Sequence, residues 1–142
     1  MSGIIVVGVD GSPTAKKAAE KAHSLAKALG AGLHVISAFD KDRTEVFGSG
    51  SDQIIISDAD GAEYVARKVA ESLGREVSVT YSAARGKPAD ALINEAARLN
   101  AQMIVVGNRR MLGIARVLGS VANSVAHNAS CDVYIANTYD AD

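Results

Sequence analysis

The chain has 142 residues, of which 48% are apolar and 22% are charged, and its formal net charge is −1. This size suits one domain with its own core, so we expect a single domain over residues 1–142, and the apolar fraction excludes a disordered chain. The balanced charge predicts no nucleic-acid and no membrane partner. One cysteine and the lack of a signal-peptide pattern predict a cytoplasmic protein.

Strand-like and helix-like patterns alternate from the first residues onwards. A β-branched run from Ile4 to Val7 predicts a strand that is buried on both faces, and Ser12-Pro13 predicts the start of a helix. In chain order, the pattern predicts a strand at 4–7, a helix at 14–29, a strand at 33–38, a helix at 58–73, a strand at 77–81, a helix at 88–99, a strand at 103–106, a helix at 120–128 and a strand at 132–136. Residues 39–56, with their charges and a Gly-Ser tract at 48–51, are interpreted as a mobile loop.

This alternation predicts an α/β fold of three layers. Parallel strands that are joined by helices need right-handed crossovers, so helices should cover both faces of a doubly wound, Rossmann-like, five-stranded parallel sheet. Ligands of such sheets bind outside the carboxyl ends of the strands, where the strand order reverses. We therefore expect function in two loops, one from Val9 to Pro13 after the first strand and one from Gly107 to Ser120 after the fourth strand.

The loop after the fourth strand has the features of an anion site. Gly107 directly follows the strand, and Gly119-Ser120 begins a helix whose backbone N–H groups and dipole favour a negative group. Three arginines lie in the interval: Arg109, Arg110 and Arg116. No acidic residue occurs from Ala96 to Cys131. The alternative is that Gly119 and Ser120 only cap the helix and that the arginines are solvated.

Other chemistries find little support in the sequence. The histidines share no ligand spacing with one another or with the cysteine, so no metal site is expected, and His23 and His34 are interpreted as structural residues. Gly86-Lys87 lacks the upstream glycine of a P-loop, and no Gly-x-Ser-x-Gly elbow is present. We therefore predict no catalytic residues and a protein that is not an enzyme.

Two segments resemble the universal stress protein family. They are the strand and turn from Ile4 to Ser12 and the closing run from Ile104 to Ala136, and the element order matches across essentially the whole chain. The resemblance implies a parallel sheet in the strand order 3-2-1-4-5 and a homodimer formed by the fifth strand, here Val133 to Ala136. In one branch of the family it also implies a site for ATP or another adenine nucleotide, with Mg²⁺ if the ligand is ATP.

That branch carries the motif Gly-x2-Gly-x9-Gly-Ser/Thr, which this chain matches in part. Gly107 matches the first glycine, and Gly119-Ser120 matches the last pair. Arg110 stands at the middle glycine, and the interval from it to Gly119 holds eight residues instead of nine. A large side chain thus stands where the family brings phosphates to bare backbone, so Arg110 either grips a phosphate or fills the pocket.

Matching positions imply a role for each predicted site residue. Asp10 would hydrogen-bond the ribose or the adenine edge, although an Asp-Gly pair also commonly forms an Asx turn. Val9 and Val35 would line the adenine slot or, alternatively, belong to the core. The phosphates would be cradled by Gly107, Gly119, Ser120 and Val121. The loop arginines Arg109 and Arg110 are predicted to belong to the same site, Arg110 either as a phosphate contact or as a side chain that fills the pocket.

The resemblance predicts a regulatory stress module that binds ATP, AMP or a related anion at the carboxyl ends of strands one and four. Any hydrolysis would be slow, because no general base or metal-holding carboxylate pair is visible near the loop arginines. The alternative is a stress protein dimer of the non-nucleotide branch, which acts only through protein contacts.

Overall fold

The structure is a computed structural model that describes residues 3–40, 44–47, 54–108 and 119–138. Its elements, in chain order, are β1 (Ile4–Gly8), α1 (Pro13–Leu29), β2 (Gly32–Phe39), β3 (Thr44–Phe47), β4 (Ile54–Ser57), α2 (Asp58–Ser72), β5 (Val79–Arg85), α3 (Pro88–Arg98), β6 (Met103–Gly107), α4 (Ser120–Asn128) and β7 (Asp132–Ala136). Within these ranges, no helix has the length and apolar character needed to cross a membrane.

The main sheet contains five parallel strands in the order β5-β2-β1-β6-β7. Counted along the chain without β3 and β4, which form a separate pair, this is the order 3-2-1-4-5. The arrangement confirms the predicted doubly wound fold and its strand order. The central strand is β1, which pairs with β2 on one side and with β6 on the other. Because the chain proceeds from β1 toward opposite edges of the sheet, a crevice opens at the carboxyl ends of these three strands.

Alternate residues of the central strand pack on opposite faces of the sheet. Ile5 and Val7 belong to a core cluster with α1 and α2, whereas Val6 belongs to a second cluster with α3 and α4. All three side chains are fully buried. On the α1 side the cluster is built largely from small residues, including Ala18, Ala19, Ala22 and Ala26. Small side chains let the helix pack close to the sheet, so an ordered core forms with few aromatic residues.

The prediction of a mobile loop between β2 and α2 was wrong for the residues that the structure describes. β3 and β4 form an antiparallel pair there, from Thr44 opposite Ser57 to Phe47 opposite Ile54. Both segments are rich in β-branched and aromatic residues, which favour strands and outweigh the charges around them. The Gly-Ser tract at 48–51 lies outside the described residues.

Candidate functional site

A cavity of about 190 Å³ opens at the carboxyl ends of β1 and β6. Its walls come from three strand ends, three helices and the segment after β7. The described lining residues are Gly8, Val9, Asp10, Ser12, Thr14, Ala15, Ala18, Ile36, Ala38, Pro88, Leu92, Val106, Gly107, Val121 and Thr138. Most of them are apolar, and Asp10 is the one ionisable side chain among them. This composition is typical of a small-molecule site, in which apolar walls surround a few polar contacts.

The turn after β1 holds two polar residues at the cavity. The Asp10 carboxylate accepts a hydrogen bond at 3.0 Å from the backbone N–H of Ser12, and Gly11 between them has φ of 85°, which glycine adopts without strain. The Ser12 hydroxyl in turn accepts the backbone N–H of Ala15 at 3.2 Å and so caps α1. The Asx turn considered for Asp10 is therefore present, and Asp10 lines the cavity as well.

The end of β6 leaves little room for a side chain at Gly107. A Cβ atom there would lie 3.2 Å from Cγ2 of Thr138, 3.4 Å from Oγ1 of Thr138 and 3.7 Å from Cβ of Ala18. All three residues line the cavity. Glycine at position 107 therefore lets the strand end, α1 and the segment after β7 meet at one wall.

The amino end of α4 lies beside the cavity, which Val121 lines. Gly119 is the N-cap with an extended backbone, and its carbonyl accepts the N–H of Asn123 at 2.9 Å. The N–H groups before Asn123 have no acceptor within the helix, so an anion here would meet backbone donors and the positive end of the helix dipole. Ser120 is exposed, and neither it nor Gly119 belongs to the described lining.

The structure brings four of the nine predicted site residues into the cavity wall: Val9, Asp10, Gly107 and Val121. It does not bring Val35 there. Val35 is fully buried in the cluster with α1 and α2, while Ile36 and Ala38 of the same strand line the cavity. Arg109 and Arg110 lie outside the described residues. Ligand contact by any of the nine stays a prediction.

The sequence reasoning missed the walls that come from α3 and from the end of the chain. Pro88 and Leu92 line the cavity from the first turns of α3, and Thr138 lines it after β7. The signal for α3 was available, because a helix that covers β1 must begin near the carboxyl ends of the strands. No sequence pattern pointed to Thr138.

A separate polar cluster surrounds His34 on β2. Its Nδ1 lies 2.6 Å from the Thr80 hydroxyl and its Nε2 lies 2.8 Å from the Ser82 hydroxyl, so both ring nitrogens are hydrogen-bonded. Burial lowers the pKa of His34, Glu95 acts to raise it, and Arg98 lowers it further. The neutral ring donates through one nitrogen and accepts through the other. This is the structural role expected for the residue. The described part of the chain contains no group of three His, Cys, Asp or Glu side chains that could hold a metal.

Comparisons with known proteins agree on one family. A family model described as the universal stress protein family matches residues 1–137. Universal stress protein A homolog 1 of Coxiella burnetii is 30% identical over 132 residues, which cover 91% of this chain and 92% of that protein. Universal stress protein Rv1636 of Mycobacterium tuberculosis is 33% identical over an alignment of 148 residues, which covers 94% of this chain and 95% of that protein. A crystal structure of a universal stress protein in complex with cAMP is similar with a TM-score of 0.74 and 27% identity, covering 97% of this chain and 98% of that chain.

Proposed function

Because the chain belongs to the universal stress protein family, we propose that it is a regulatory module that binds an adenine nucleotide in the cavity at the carboxyl ends of β1 and β6. One observation carries the proposal: a mostly apolar cavity has both an acidic residue, Asp10, and the amino end of a helix at its edge. The similar universal stress protein that was crystallised with cAMP supports a nucleotide as the ligand class.

The cavity suits the base of a nucleotide, and its edge suits the ribose. About 190 Å³ is smaller than the roughly 300 to 1,000 Å³ of sites that enclose a drug-sized ligand, so the base would enter and the phosphates would lie outside. Ile36, Leu92 and Val106 would contact the base. Asp10 would accept a hydrogen bond from a ribose hydroxyl. Its bond to the N–H of Ser12 is compatible with this, because a carboxylate has several acceptor positions.

The phosphates would need positive charge, which the described lining does not supply. Arg109 and Arg110 follow Gly107 and Asn108 in the sequence, and the amino end of α4 adds backbone donors. Arg110 would either grip a phosphate, in place of the contact that a glycine backbone allows, or obstruct the pocket. ATP would bring its own Mg²⁺ on the phosphates.

The second candidate function is a dimeric module that acts through protein contacts alone. It is favoured by Arg110 at the position of a family glycine and by the place of β7 in the sheet. Among the described strands, β7 pairs only with β6, and its Tyr134 is 36% exposed. Two such edges that pair across a two-fold axis would satisfy backbone groups that otherwise meet only water. A homodimer through β7 is compatible with either function.

The test begins with the protein as purified. Denaturing fresh protein and identifying the released small molecules by mass spectrometry should yield an adenine nucleotide. Calorimetric titrations of ATP, AMP and cAMP into wild type, Arg110→Ala, Arg110→Gly and Ser120→Ala then measure affinity. Loss of a charge-assisted phosphate contact should make Arg110→Ala about ten- to hundredfold weaker, whereas an obstructing Arg110 would make Arg110→Gly bind more tightly than wild type.

Arg75→Ala is the matched control, because Arg75 is exposed and precedes β5 at the opposite end of the strands. It should bind like wild type. If no variant binds any of the three nucleotides with a dissociation constant below about 1 mM, the nucleotide proposal fails and the protein-contact module is the better account. We also propose that the module is not an enzyme, so incubation with ATP and Mg²⁺ should release no ADP or AMP above the buffer rate.

A further inference from the structure

A buried side chain continues the pairing of β6 with β7 beyond the end of the backbone ladder. The ladder ends where Gly107 pairs with Ala136. Immediately after it, the side-chain carbonyl of Asn108 accepts two hydrogen bonds from Thr138, at 2.7 Å from the backbone N–H and at 3.2 Å from the hydroxyl. The amide nitrogen of Asn108 donates to Oδ1 of Asn137 at 3.2 Å. Asn108 thus replaces the next rung of the ladder with three hydrogen bonds from one side chain.

The two bonds to Thr138 are buried and lie next to the cavity. Asn108 is 8% exposed and Thr138 is 2% exposed, so water does not readily replace a lost partner. Thr138 lines the cavity and lies against the bare backbone of Gly107, whereas Asn108 is not among the described lining residues. Asn108 is therefore placed to act on the cavity through Thr138.

We propose that Asn108 is a positioning residue for the bound nucleotide, an inference that rests on the proposed function. By holding Thr138 it fixes one wall of the cavity, and it does so at the residue from which the arginine-bearing segment departs. Without Asn108, the N–H and hydroxyl of Thr138 lose their acceptor, and the segment after β7 must shift to find another one. Nucleotide affinity then falls because the wall moves.

The experiment compares Asn108→Ala with Asn108→Asp, using adenosine and AMP as probes. Asn108→Ala removes the acceptor for both Thr138 bonds and should weaken adenosine and AMP alike by about tenfold or more. Asn108→Asp retains an oxygen that accepts both Thr138 bonds, and the Asn137 amide can turn to donate its NH2 to the second oxygen in place of the donor that is lost. Adenosine affinity should therefore stay within about threefold of wild type. Adenosine has no phosphate, so its affinity reports the position of the cavity wall alone. The affinity of AMP also includes repulsion between its phosphate and the new carboxylate of Asn108→Asp. Asn94→Ala makes the same chemical change at an exposed position of α3 and should leave both affinities unchanged.

A second readout needs no ligand. Amide hydrogen exchange should show that the Thr138 N–H is protected in wild type and in Asn108→Asp, and that Asn108→Ala lowers this protection by about tenfold or more. Thr138→Val is a milder variant that retains the backbone bond and the side-chain shape but removes the hydroxyl donor. It should fold even where Asn108→Ala does not, and it should weaken adenosine by about two- to tenfold.

The outcomes separate this inference from the proposed function. If wild type binds and both Asn108→Ala and Thr138→Val bind adenosine equally well, the nucleotide site stands and the positioning role of Asn108 is wrong. Equal affinity loss in Asn108→Asp and Asn108→Ala would also overturn it, since both Thr138 bonds survive in the former. If wild type binds neither probe, the proposed function itself has failed, and the positioning role fails with it.

Discussion

Adding one methyl group at Gly107 should both destabilise the fold and narrow the cavity. The new Cβ atom would lie 3.2 Å from Cγ2 of Thr138, whereas carbon atoms at rest lie about 3.5 to 4.0 Å apart. Thr138 would have to retreat by a few tenths of an ångström. It has little freedom to do so, because it is 2% exposed and its backbone is hydrogen-bonded to Asn108.

The expected change in the unfolding free energy of Gly107→Ala follows from two opposing effects. Overpacking of a well-packed site typically costs about 1 to 3 kcal/mol. Replacing glycine with alanine returns up to about 1 kcal/mol by restricting the unfolded chain. The middle of these two ranges puts the loss of unfolding free energy in Gly107→Ala at about 1.5 kcal/mol. Gly61→Ala is the matched control, because a Cβ at Gly61 in α2 meets no atom within 4 Å, and this variant should gain about 0.5 to 1 kcal/mol.

Urea denaturation followed by circular dichroism measures both variants. With a denaturant slope of about 2 kcal/mol/M, the midpoint of Gly107→Ala should fall by about 0.5 to 1 M, and that of Gly61→Ala should rise slightly. Calorimetry with adenosine should show weaker binding in Gly107→Ala and unchanged binding in Gly61→Ala. A Gly107→Ala protein that is as stable as wild type and binds adenosine equally well would refute the argument that close packing at this wall requires glycine.

Three further predictions concern other parts of the fold. The unfolding free energy of wild type should decrease as the pH falls from about 6.5, because burial lowers the pKa of His34 and only the unfolded chain then takes up the proton. The His34→Gln variant should lack this contribution to the pH dependence of the unfolding free energy, measured by urea denaturation between about pH 5 and pH 7.5. Ser12→Ala should lose about 1 kcal/mol in the same assay through the missing cap of α1, whereas Ser24→Ala, at an exposed site within α1, should not. Tyr134→Lys should shift a wild-type dimer toward monomer in sedimentation at micromolar concentration, and a monomeric wild type would contradict pairing through β7.

The topology of the sheet could be predicted because its signals are local and strong. The β-branched run of β1 carries no charge on either face, and only the centre of a sheet covered by helices buries both faces. The β3-β4 pair was missed because four-residue strands are short and the neighbouring charges and Gly-Ser tract resemble a linker. In so short a segment, β-branched content is a better guide than the charge around it.

The wall of the cavity was harder to predict than its position. A strand that is buried on both faces gives no alternation in hydrophobicity, so the sequence does not reveal which of two neighbouring residues faces the ligand side. Val35 and Ile36 are both apolar, and the structure places them in opposite core clusters. The contact of Asn108 with Thr138 spans 30 positions and depends on the register of β6 and β7, which no local pattern encodes.

Polar residues at the edge of the cavity also stabilise the turn and the helix start beside it, so a variant at one of them can lose affinity through a change in the fold. Asp10 accepts the hydrogen bond that closes the turn after β1, and Ser12 caps α1. Replacing either residue with alanine therefore removes a hydrogen bond of the fold in addition to any ligand contact. A lost affinity in Asp10→Ala or Ser12→Ala is evidence for ligand contact only where the unfolding free energy has been measured alongside it. Ser120 differs, because it is exposed and the N-cap of α4 is the preceding residue, Gly119. Weakened AMP binding in Ser120→Ala at unchanged stability would therefore assign the phosphate to the amino end of α4, and unchanged binding would remove that side chain from the site.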